Sequence, residues 1–276
     1  MHGYSPGVSV VIFVLAGTRE GRELAATLVS AGHQVMASAV TSYGAELLRQ
    51  IPGVAVWEGA LNAEQFAALI RDQGVKGILD ATHPFATEIT RIAQEVAASC
   101  GVPYLRWERP ETPLPQGHPL VHLVPTWEEA VSKVASLGVD RVFLAVGVQP
   151  LSLFLTHPAL RGCQFAVRVL PLPESLRVCY QLGLRPDQIV ALQGPGTQKL
   201  NEALLQEFRA EVLVTKESGD LGGTKEKVAA ACALSIPVVV VQRPVVCSGR
   251  TANFEKASDV DYVRFWAKKV AEEKKE

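Results

Sequence analysis

Residues 10–23 read VVIFVLAGTREGRE. The apolar run from Val10 to Leu15 breaks into a glycine turn at Gly17, and Gly21 follows four residues later. Behind the turn, Leu24, Ala25, Leu28 and Val29 pair at the i, i+4 spacing of one helix face. A buried parallel strand that enters a tight turn and then a helix has this pattern. The first N–H groups of such a helix lack carbonyl partners and sit at the positive end of its dipole, where phosphate binds well. Gly17, Thr18, Arg19, Glu20 and Gly21 are therefore candidate cofactor-binding residues. The dinucleotide fingerprint G-x-G-x-x-G has three glycines and this segment has two, so a plain β–α turn is the alternative reading.

The alternation continues along the chain. Strands are expected at 10–16, 34–40, 54–57, 77–80 and 103–107, with helices at 20–31, 43–50, 62–72 and 85–100. Residues 108–119, ERPETPLPQGHP, hold four prolines and no apolar period, and read as a linker. Strands then recur at 121–124, 141–146, 164–169, 188–192, 211–215 and 237–241, with helices at 126–137, 174–183, 198–208 and 223–234. The run Pro237 to Val241 is β-branched and unalternated, as in a strand buried on both faces. Such regularity predicts an α/β protein of two Rossmann-like lobes with parallel sheets and an interlobe cleft. The expected division is a cofactor lobe at 1–107, the linker at 108–119, a second α/β lobe at 120–257 and a charged helical tail at 258–276 without chemistry.

Composition narrows the class. The 276 residues are 48% hydrophobic and 20% charged, ordinary globular usage with ample material for cores. A net charge of −1 argues against a dominant nucleic-acid footprint. The run from Val8 to Ala16 is too short to span a bilayer, and no basic segment precedes it, so neither a membrane span nor a signal peptide is expected. The five cysteines form no C-x-x-C pair, which fits reduced thiols in a cytoplasmic protein. No metal-ligand cluster stands out.

Three loops after expected strands carry the polar chemistry. Asp80-Ala81-Thr82-His83-Pro84-Phe85-Ala86-Thr87 follows Gly77-Ile78-Leu79 and precedes a helix with Phe85, Ile89, Ile92 and Val96 on one face. Thr82 and His83 are candidates there, as anion ligands or as caps of that helix with Pro84 in its first turn. Gln193-Gly194-Pro195-Gly196-Thr197 repeats the geometry in the second lobe, and nominates Gly194 and Pro195 for close ligand approach. The densest loop runs from Thr215 to Lys225, TKESGDLGGTK, and makes an anion cradle of Lys216, Ser218, Gly219 and Lys225. Lys216, at the strand tip, is the strongest single candidate. At the end of the second strand stand Thr41, Ser42 and Tyr43 in place of the acid that NAD-specific sites use for the ribose. Two hydroxyls without an acid favour NADPH over NADH.

Taken together, AGTREGREL, DATHPFA, FLAVG at 143–147, GPGT and TKESG–GGTKEK resemble the precorrin-6A reductase family of corrin-ring (cobalamin) biosynthesis, in family order across residues 10–243. The resemblance implies two Rossmann-like lobes that bind NADPH. It implies hydride transfer that reduces one double bond of precorrin-6A, or of its cobalt form, to a dihydro product. A polycarboxylate tetrapyrrole also accounts for anion cradles in a chain of near-zero net charge. His83 is the candidate proton donor by its titration range; solvent is the alternative. A reductase of another conjugated ring and a nucleotide-sensing module remain open on the residues alone, as does the oligomeric state.

Overall fold

The computed structural model describes residues 11–115, 117–244 and 254–272. Val10, Gln116, residues 245–253 with Cys247, and the last four residues of the expected tail lie outside the described residues. Two compact units divide the chain between Arg109 and Pro110 and again between Pro244 and Val245.

The first unit begins with β1 (Val11–Leu15), α1 (Arg19–Ser30), β2 (Gln34–Ala39), α2 (Ser42–Arg49), β3 (Val54–Glu58), α3 (Ala63–Asp72), β4 (Val75–Asp80), α4 (Thr87–Cys100) and β5 (Tyr104–Trp107). β1 lies between β2 and β4 in parallel register, with Phe13 opposite Met36 on one side and Ile78 on the other. Ile12, Phe13 and Val14 are wholly buried, as a central parallel strand covered by helices on both faces requires. α1 starts where Thr18 accepts a hydrogen bond from the Gly21 N–H, and it buries Leu24, Ala25 and Leu28. Gly21 is needed for that packing: a Cβ there would stand 2.7 Å from the Ala16 Cα.

The second unit repeats the plan with β6 (Val121–Val124), α5 (Trp127–Ser136), β7 (Arg141–Ala145), a short α6 (Leu151–Leu155), β8 (Gln164–Val169), α7 (Pro173–Gln181), β9 (Ile189–Ala191), α8 (Gln198–Glu207), β10 (Val212–Lys216), α9 (Thr224–Ala233) and β11 (Val238–Val241). Its strand order is β6-β11-β10-β7-β8-β9, all parallel. β11 is buried along its whole length, as its unalternated valines require.

The chain then returns to the first unit, which corrects the expected second lobe of 120–257 and the separate tail. β12 (Phe254–Ala257) pairs in parallel with β5, Phe254 opposite Tyr104, and completes the order β12-β5-β4-β1-β2-β3. α10 (Val260–Glu272) packs on α1 and β4. Val263, Trp266, Ala267 and Val270 join the core around Ile12 and Leu79. Gly77 leaves room for the indole, since a Cβ there would lie 2.9 Å from Trp266. The described charged residues of α10, Asp261, Arg264, Lys268, Lys269 and Glu272, are all exposed. The expected linker is likewise anchored: Arg109 pairs with Glu20, while Thr112 donates its N–H to Glu217 in the second unit.

Candidate functional site

In each sheet the strand order reverses beside its central strand, and parallel sheets bind ligands at the carboxyl ends of the strands flanking that point. In the first unit these ends are Ala16-Gly17 after β1 and Asp80 to His83 after β4. Ala81 N–H donates to the Leu15 carbonyl, and the Thr18 hydroxyl donates to the Ala81 carbonyl at 2.9 Å while capping α1. The two turns are thereby locked side by side. A Cβ added to Gly17 would meet nothing within 4 Å, so this turn offers open space above the strand end. A hollow of about 60 Å³ adjoins it, lined among others by Gly17, Ser38, Val40, Gly59 and Thr82.

The remaining residues of the first turn divide by environment. Arg19 is exposed and pairs with Glu23 one helical turn on. Glu20 is buried, its carboxylate 2.5 Å from the Arg109 guanidinium. Thr41 caps α2 by accepting from the Gly44 N–H, and Tyr43 is largely exposed. Ser42 donates to Glu58 at 2.6 Å, which corrects the expectation that no acid stands near the end of β2. The acid comes from the neighbouring strand, where Glu58 sits opposite Ala39, and Arg49 pairs with it at 2.8 Å. The hydrogen bonds from Ser42 and Arg49 hold the Glu58 carboxyl below its usual range.

Beneath the DATHPFA loop lies a buried polar network. Asp80, with no exposed surface, accepts from the Thr82 N–H and hydroxyl, the Thr90 hydroxyl and the Tyr104 phenol, and pairs with Arg106 at 2.6 Å. Arg106 also donates to the Thr82 hydroxyl at 2.8 Å and to its carbonyl. Burial and the adjacent Asp80 carboxylate keep the Tyr104 phenol protonated well above its usual range. A buried charge needs a partner and satisfied lone pairs, and Asp80 has both. Its effect is to fix Thr82 and the turn that carries His83.

His83 is half-buried, and its Nδ1 accepts from the Phe85 N–H at 3.2 Å. Neither Thr82 nor His83 caps the following helix: α4 begins at Thr87 behind Ala86, without a side-chain cap. Thr82 is held by Asp80 and Arg106, and the His83–Phe85 turn comes before the helix.

In the second unit the corresponding ends are Gly147 after β7 and Lys216 after β10. A Cβ on Gly147 would approach the Lys216 Nζ to 3.9 Å. Ser218 is buried; its hydroxyl donates to the Lys216 carbonyl at 3.3 Å and its N–H to the Thr224 hydroxyl. The Gly219 N–H donates to Glu217 at 2.9 Å. Burial pushes the Glu217 carboxyl up, but bonds from Arg243, Gly219 and Thr112 outweigh it and hold the group below its usual range. These residues build the loop. Lys225 points to solvent. The buried lysine is Lys227, which donates to the Gly222 carbonyl at 2.9 Å and the Thr215 hydroxyl at 3.3 Å.

Gly194 and Pro195 face another group that the sequence reading passed over. Arg168 on β8 donates to both of their carbonyls and, at 2.9 Å, to Asn201. Pro195 also fills the space over Gly223, where a Cβ would stand 2.2 Å from its own Cβ. An arginine inside the apolar strand FAVRV was the available signal for this clamp, as Arg106 in YLRW was for the first. A larger hollow of about 370 Å³, lined by Arg141, Cys163, Gln164 and Phe208 among others, opens at the amino ends of β7 and β8. Parallel sheets do not place their ligands at that end.

The sequence matches the family described as Precorrin-6x reductase CbiJ/CobK over residues 11–266. It is 37% identical over 252 residues to the cobalt-precorrin-6A reductase of Methanothermobacter thermautotrophicus, covering 90% of this chain and 82% of that one. It is 35% identical to the cobalt-precorrin-6A reductase of Priestia megaterium, covering 89% and 96%. The fold superposes on the solved structure of CobK precorrin-6A reductase with a TM-score of 0.72 at 25% identity, over 95% of this chain and 97% of that one. Two parallel sheets of matching plan, polar turns at their carboxyl ends and a match across nearly the whole length agree: the chain belongs to the precorrin-6x reductase family.

Proposed function

We propose that the chain reduces one double bond of precorrin-6A, or of its cobalt form, with NADPH as hydride donor, in corrin-ring biosynthesis. The observation that carries this reading is the open turn at Gly17, on the carboxyl edge of a Rossmann-ordered sheet in a reductase family. NADPH supplies the hydride when bound, and the protein contributes position and charge. Around Gly17 the first N–H groups of α1 fit a pyrophosphate. Ser42 and Arg49 both bond the Glu58 carboxylate. Of these groups the Arg49 guanidinium is the one that supports NADPH over NADH, as a cation for the 2′-phosphate, with the Glu58 carboxylate as the opposing charge.

Reduction of a double bond adds a hydride to one carbon and a proton to the other. We assign the proton to His83, held by the Phe85 N–H on a turn fixed through Asp80. Lys216 takes a substrate carboxylate. A reducing cytoplasmic setting accords with this role, and the four described cysteines carry no disulfide.

The test is an anaerobic assay of nicotinamide oxidation with metal-free and cobalt-containing precorrin-6A side by side, each with NADPH and with NADH. The expected result is oxidation of NADPH with a stoichiometric dihydro product, and much slower oxidation of NADH. No oxidation with either macrocycle overturns the assignment; equal rates with both cofactors overturn the NADPH preference alone.

A further inference from the structure

Three cations from three elements converge under the glycine turns of the second unit. Arg168 comes from β8, Lys216 from the tip of β10 and Lys227 from α9. Arg168 and Lys227 are both 7% exposed. Arg168 gives its hydrogen bonds to the carbonyls of Gly194 and Pro195 and the Asn201 amide oxygen, all neutral. Lys227 bonds a carbonyl and a hydroxyl, also neutral. Among the described residues no carboxylate lies within ion-pair distance of either. Buried charges are ordinarily paired, so Arg168, together with Lys227 whenever it is protonated, is a cost to the fold. An anion at the loop surface would relieve it.

We propose that Arg168, Lys216 and Lys227 form a basin for one carboxylate of the substrate, and that Lys227 takes up a proton as that carboxylate docks. The inference rests on the macrocyclic polycarboxylate assigned above. Lys216, half-buried at the strand tip beside Gly147, meets the carboxylate. Lys227 is a positioning residue. It holds the Gly222 carbonyl and so the turn in which Gly222 packs on Ser218 and Gly223 on Pro195.

The direction of proton transfer follows from the surroundings of Lys227. Burial, then the charges of Arg168 and Lys216, lower its ammonium from 10.5 to about 7; Glu226 alone opposes them. The other charged groups on elements packed against α9 are Lys199, Glu202 and Glu207 on α8 and Asp220 in the preceding 3-10 turn, while β11 is all valine. None of these is among the causes of the shift. A bound carboxylate stabilises the protonated form, so binding above pH 7 draws in a proton, and affinity falls as pH rises.

The experiment has two arms on the full chain. In the first, anaerobic rates with saturating NADPH give KM for precorrin-6A from pH 6 to 9 in the wild type and in Lys227→Met. The wild-type KM is expected to rise above pH 7, toward a limit of about tenfold per pH unit. In Lys227→Met that rise is lost, KM at pH 6.5 is roughly tenfold higher, and the loss falls on KM rather than kcat. Superimposable KM profiles overturn the proposal. The second arm needs no variant. The wild type loaded with NADP⁺ is titrated calorimetrically with precorrin-6A at pH 8 in two buffers of different ionisation enthalpy. Net uptake approaching one proton per ligand supports the proposal, and binding without uptake overturns it while leaving the substrate assignment intact. Absence of both binding and turnover overturns the two together.

Discussion

Replacing Lys227 by Met is expected to stabilise the ligand-free chain at neutral pH, and the gain should vanish in alkali. Burial, Arg168 and Lys216 bring the folded-state pKa of Lys227 from 10.5 to about 7. Between those values the unfolded chain holds a proton on this side chain that the folded chain does not. Wild-type stability therefore rises with pH across that window, and below pH 7 the cost of burying the charge stays constant. At about 1.36 kcal/mol per pH unit the full cost is about 5 kcal/mol, and about 3 kcal/mol of it is relieved between pH 7 and pH 9. Met keeps most of the stem's volume but loses the bonds to Gly222 and Thr215, each contributing about 1 kcal/mol. The variant should be more stable than the wild type by about 3 kcal/mol at pH 7 and nearly equal to it at pH 9. Urea unfolding followed by far-ultraviolet circular dichroism at both pH values reads this directly. If the two stabilities move in parallel with pH, Lys227 carries no buried charge and the argument fails.

Gly17→Val should weaken NADPH binding with little change in Tm, whereas Gly21→Val should lower Tm by the equivalent of about 1–3 kcal/mol, because its Cβ would be driven into Ala16. Cofactor binding lost at Gly21 alone, with Gly17→Val wild-type in both measurements, would show that the open turn is not the phosphate site. Arg49→Ala should raise the Kd for NADPH roughly tenfold or more and leave NADH little changed, since a charged hydrogen bond to phosphate contributes about 1.5–3 kcal/mol; equal losses for both cofactors would place the 2′-phosphate elsewhere. His83→Ala should lower kcat and remove one limb of the pH–rate profile if His83 donates the proton, and a loss of constant size across pH would reduce it to positioning.

Much of the architecture was legible because parallel strands announce themselves. The expected strand at 10–16 contains β1, and the one at 237–241 contains β11, because both are apolar runs bounded by turn residues. The two polar turns after β1 and β4 were legible for the same reason: a strand's end can be read locally. Pairing between distant segments could not be. Nothing local in Phe254–Ala257 says that it joins β5, and Gly77 gains a reason only when Trp266 lies over it.

The same divide separates side chains whose surroundings can be read locally from those whose surroundings cannot. Lys225 and Lys227 stand two residues apart, about 200° around a helix, so one must face the sheet and the other solvent. The Ala-rich sequence around them has no strong apolar stripe to say which; in the structure Lys225 is exposed and Lys227 buried. Arg168 and Arg106 were passed over because their strands were read for apolar character alone. A guanidinium in a buried strand must find oxygens nearby. Arg106 finds Asp80 and Thr82, whereas Arg168 finds only neutral groups and so leaves its charge at the sheet edge. That difference gives the two turns different chemistry. The first is a neutralised, rigid frame that holds His83, and the second retains a positive field suited to an acidic substrate. Their shared place after a parallel strand does not reveal it, because only the buried partner of each arginine sets the two apart.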